Sequence, residues 1–60
     1  MQSSWQAQLD EARKALDRWE VEVCREAAGR ARSLAASWGE AEGVALSEIT
    51  LARAALLDGD

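Results

Sequence analysis

The segment Leu16-Asp17-Arg18-Trp19-Glu20-Val21 decides the fold, because it either ends a helix or lies inside one. Asp17 and Glu20 have the spacing of a capping box, which ties off the backbone N–H groups at the start of a helix, and Leu16 and Val21 stand where a hydrophobic staple would close over it. The residues around them argue for continuity. Trp5, Leu9, Ala12, Leu16, Trp19 and Val23 recur in steps of four and three, a heptad-like seam that runs through the segment without losing phase. The segment holds no Gly, Pro or Asn to make a turn. It is therefore read as helical, giving one long helix over about residues 4–37, with a break near 17 as the alternative.

Beyond Val23 the apolar stripe shifts by one residue and continues through Ala27, Ala31, Leu34 and Trp38. Ser3 with Gln6 makes a capping box at the start of the chain. Gly39 is the expected turn. Arg30 and Arg32 precede it and Glu40 and Glu42 follow it, which suits the negative end of one helix and the positive end of the next. A glycine there takes the left-handed conformation that ends a helix without a Cβ penalty. Ser37 with Glu40 spells a second capping box. Gly43 is read as a tolerated helix or loop glycine, against the alternative that it lets two helices approach closely.

The second helix is expected over about residues 40–57. Its apolar positions, from Val44 to Leu57, cover nearly the whole circumference, and such a helix is normally buried on several sides. One partner helix cannot do that. The expected architecture is therefore all-α: a single domain over residues 1–60, an antiparallel helical hairpin with unequal arms, its surplus apolar surface covered in an oligomeric bundle.

Composition narrows the function. Sixty residues bury only about 60% of the surface they expose when unfolded, so a lone monomer is marginal. Seven basic against eleven acidic residues, net charge −4, argue against nucleic acid, whose binding rests on neutralising phosphates. The same balance argues against an anionic membrane surface, and no apolar run approaches the length of a span. Histidine and tyrosine are absent, Cys24 is the lone cysteine, and Glu22 with Glu26 reads as a solvated acidic face. No enzyme, cofactor or metal site is expected. The absence of an apolar leader at the N-terminus and the single thiol make a cytoplasmic location the expectation.

An internal echo links the two ends. Ala12-Arg13-Lys14-Ala15-Leu16 recurs as Ala52-Arg53-Ala54-Ala55-Leu56, forty residues later. From Ala31 onward a small-residue helix, the Gly39-x-x-x-Gly43 turn, Ala45 and the Leu-Leu-Asp-Gly-Asp ending follow one another. This half of the chain resembles the tetratricopeptide-like repeats of about 40 residues found in helical regulatory scaffolds. The resemblance implies a solenoid piece that binds peptides or proteins and catalyses nothing. From the residues themselves the expected function is protein–protein interaction, by self-association or with a helical partner. The candidate interface is Trp5, Leu9, Leu16, Trp19, Val23, Leu34, Trp38, Ile49 and Leu56.

Overall fold

In the computed structural model, which describes residues 4–59, the chain leaves the helix at Trp19. The backbone there takes φ 62°, the left-handed region that β-carbon-bearing residues avoid. The N–H of Glu20 donates to the carbonyl of Ala15 (2.9 Å) and that of Trp19 to Leu16 (3.1 Å), the paired bonds of a Schellman ending. The unbroken helix over residues 4–37 is thereby corrected to two. The elements are α1 (Ser4–Asp17), α2 (Val21–Ser37) and α3 (Ala41–Leu57), all helical.

The break falls where the capping box suggested, yet by another mechanism. Asp17 is the last residue of α1, and Glu20 precedes α2 without a side-chain capping bond. The second turn repeats the first: Glu40 N–H donates to Ala35 (2.8 Å), Gly39 N–H to Ala36 (3.2 Å), and Gly39 has φ 70° as expected. Ser37 closes α2 and Glu40 makes no side-chain cap, so the capping box expected there does not form. The one expected at Ser3 lies outside the described residues. Energetics explain why the chain bends at a tryptophan. A left-handed residue costs about 1–2 kcal/mol. A straight helix over residues 4–37 would be roughly 50 Å long and would leave the α1 stripe largely without cover.

α2 lies in the middle and packs against both α1 and α3, which meet each other far less. Cross-links on the surface order the packing. Arg30 Nε donates to Gln8 Oε1 (2.9 Å) between α2 and α1. Arg25 pairs with Asp58 (3.1 Å) and Arg32 with Glu48 (3.0 Å) between α2 and α3, early residues of one against late residues of the other.

The interior is built from small side chains. Ala12, Ala15, Cys24, Ala27, Ala28 and Ala54 form one cluster, flanked by Leu16, Val21 and Leu51. Trp5, Leu9, Ala31 and Ala35 form a second, flanked by Leu34, Val44 and Leu46. The largest fully buried side chains are Cys24 and Ser47. Small residues let helix axes come close, toward the short end of the usual 8–10 Å. The buried hydroxyls are satisfied locally: Ser47 donates to the Gly43 carbonyl (2.7 Å) and Thr50 to that of Leu46 (2.9 Å).

Gly43 corrects the sequence reading. A Cβ there would stand 2.6 Å from the Cβ of Ala35 and 2.8 Å from the Trp5 ring. It is a close-approach glycine where all three helices converge.

Candidate interaction surface

Several large apolar side chains lie outside, while apart from Trp5 and Leu9 the interior is filled mainly by alanines. Trp19 is 70% exposed, Trp38 72%, Leu56 74%, Ile49 52% and Val23 50%. Scattered exposed leucines are ordinary, but a small protein that buries alanine and displays tryptophan has surface left to cover.

The nine candidate residues divide accordingly. Trp5 and Leu9 are core, with Leu34 packed against them. Leu16 packs on the other cluster. Trp19, Val23, Trp38, Ile49 and Leu56 are exposed. Trp19 leaves the seam because the turn ends the helix beneath it. Restarting at Val21 rotates the stripe, so Cys24 faces inward and Val23 outward. Trp38 caps the C-terminal end of α2 with its side chain largely in solvent. The two tryptophans flank α2 at opposite ends and cannot belong to one small patch.

α3 carries the most ordered exposed feature. Its buried residues are Gly43, Ser47, Thr50 and Ala54. On the opposite side, Ala45, Ile49, Ala52 and Leu56 are all exposed and follow one another at four-, three- and four-residue steps. At 3.6 residues per turn these form a single stripe. α3 therefore buries a face of small residues and leaves an apolar stripe on its other side exposed.

A second feature lies between α1 and α3. A cavity of about 270 Å³ is lined by Trp5, Leu9, Asp10, Arg13, Glu42 and Leu46, among others. A neighbouring one of about 230 Å³ is lined by Arg13, Leu16, Leu46, Ile49, Thr50 and Arg53. They share Arg13 and Leu46, and neither is lined by any residue of α2. Together they form a groove whose two walls rise in residue number together. Sequence reasoning missed Leu46, Arg13 and Arg53 as surface-forming residues. The echo at residues 12–16 and 52–56 carried the signal, since it places an arginine at the same point in each.

Cys24 is fully buried and its thiol pKa is raised by loss of solvent, so it remains a neutral, unreactive core group. No group of three or more metal-binding side chains occurs among the described residues, and no described helix is long and apolar enough to cross a membrane. No protein-family model, curated protein or solved structure matches the chain.

Proposed function

We propose that this protein acts without catalysis, as an association module that binds a second copy of itself through the outer face of α3. The observation that carries this reading is the stripe Ala45-Ile49-Ala52-Leu56, apolar, exposed and opposite the buried face. Its sizes alternate small, large, small, large. If two α3 helices pack antiparallel about a two-fold axis between residues 50 and 51, Ala45 opposes Leu56 of the other copy and Ile49 opposes Ala52. Each large side chain meets a small one, the condition for interdigitated packing. Within one copy, the ordering of the Arg25–Asp58 and Arg32–Glu48 pairs supports antiparallel hairpins that share α2. Two copies then form a helical bundle with an isologous interface.

Sedimentation over a concentration series tests this directly. The unaltered chain is expected to shift from monomer to dimer as concentration rises. Leu56→Gln with Ile49→Gln should hold it monomeric while circular dichroism keeps its helical signal. A monomer that persists to millimolar concentration rules self-association out.

A second reading has its own support. The helix boundary at Asp17 and the positive-φ residues Trp19, Gly39 and Gly59, spaced twenty apart, fit one and a half helix-pair repeats of a tetratricopeptide-like scaffold. In that case another helix pair covers the outer face of α3. A tandem chain of residues 1–40 followed by 1–60 should then melt well above the single unit, because repeat stability grows with each added interface. Equal melting of both chains sinks that reading.

A further inference from the structure

We propose that the groove between α1 and α3 binds a peptide segment bearing carboxylates, gripped by Arg13 and Arg53. Both arginines line the same cavity of about 230 Å³, beside Leu16, Leu46 and Ile49. Among the described residues neither makes an ion pair or a side-chain hydrogen bond. This sets them apart from Lys14, Arg25, Arg30 and Arg32, whose partners include Asp10, Asp58, Gln8 and Glu48. Arg18 makes no such bond among the described residues either, but it lines neither cavity. Asp10 lies one turn from both Arg13 and Lys14, yet it pairs with Lys14 (3.3 Å). In a chain with eleven acidic residues and seven basic ones, two unmatched guanidiniums over an apolar floor are complementary to an acidic ligand brought from outside.

The forty-residue echo supplies the geometry. Arg13 and Arg53 occupy the same place in the two copies of the motif, and the fold sets those copies on facing walls. A guanidinium offers a planar fork that holds a carboxylate by two hydrogen bonds, which an ammonium cannot imitate. The groove is also polar end to end. Asp10 and Glu42 line the Trp5 end, while Arg53 lines the other. An occupant is thus oriented, with its carboxylates at the Arg53 end and its apolar side chains on Leu16, Leu46 and Ile49. This surface is distinct from the Ala45–Leu56 stripe except at Ile49, which borders both.

The test uses two labelled synthetic peptides, each an amphipathic helix with leucines on one face. One carries two glutamates a helical turn apart at one end and the other has glutamines in their place. Fluorescence anisotropy against the full chain should show the glutamate peptide binding about tenfold tighter, equivalent to about 1.4 kcal/mol. Arg13→Gln and Arg53→Gln should each reduce it to the glutamine level, and Arg53→Lys should restore only part. Both residues are exposed, so circular dichroism should show these variants folded. Equal binding of the two peptides overturns the proposal, as does unchanged preference in both arginine variants.

Discussion

The indole of Trp5 occupies the space that a side chain at position 43 would need, with its Cδ2 2.8 Å from where a Cβ on Gly43 would stand. Ala35 closes the same point from α2, at 2.6 Å. The convergence of all three helices therefore depends on one missing methyl group.

Gly43→Ala is expected to destabilise the fold although alanine is the better helix former. Overpacking costs about 1–3 kcal/mol, and the gain in helix propensity returns about 1. The expected net loss is up to about 2 kcal/mol, read from urea denaturation. Gly29 provides the control, because nothing lies within 4 Å of a Cβ built there. Gly29→Ala should stabilise by about 0.5–1 kcal/mol. A gain at both positions would show that α3 does not approach α2 and Trp5 this closely.

The two turns give a matched pair. Trp19 and Gly39 hold the same left-handed conformation, at φ 62° and 70°, and close helices with the same pair of backbone bonds. Trp19→Gly should raise stability by about 1 kcal/mol, since the indole is mostly solvated and offers little packing to lose. Gly39→Ala should lower it by a similar amount. For a domain this small, each change moves Tm by about 4–8 °C. A fall in Tm for Trp19→Gly would mean the exposed indole contributes contacts that outweigh its backbone strain.

Alkaline pH should weaken the fold through Cys24. Burial favours the neutral thiol and raises its pKa above the ordinary 9.0. A group whose folded pKa is raised contributes stability that is complete below its unfolded pKa and lost as pH climbs through the folded one. Thermal melts taken below and above pH 9.0 should therefore diverge in the parent, and diverge less in Cys24→Ala. The native thiol should also resist a disulfide reagent until the chain unfolds. Rapid labelling of folded protein would contradict the buried placement.

The helical class and the Gly39 turn were legible from residue types alone. Glycine among helix formers, with cations before it and carboxylates after it, has few other meanings. The Trp19 turn was not legible from composition, because no tryptophan signals positive φ. Its trace was the Asp17–Glu20 spacing flanked by Leu16 and Val21, which marked the place of the break but not the backbone conformation that makes it. Gly43 was unreadable for another reason. Its role depends on Ala35 and Trp5, eight and thirty-eight positions away, which only the folded arrangement brings to it. In the candidate interface, periodicity identified apolar residues but not their side: the turns carried Trp19 and Val23 outward and left Trp5 and Leu9 inside.

Because α2 alone touches both neighbours closely, loss of either outer helix leaves most of the other's contacts intact. Amide hydrogen exchange should then resolve a gradient rather than a single unfolding event, with the middle of α2 the slowest to exchange. The end near Trp5 is the exception, since there α1 reaches across to the first turn of α3. Opening of α1 uncovers Ala35 and Gly43 together, so the two outer helices communicate through that one corner and fluctuate independently elsewhere.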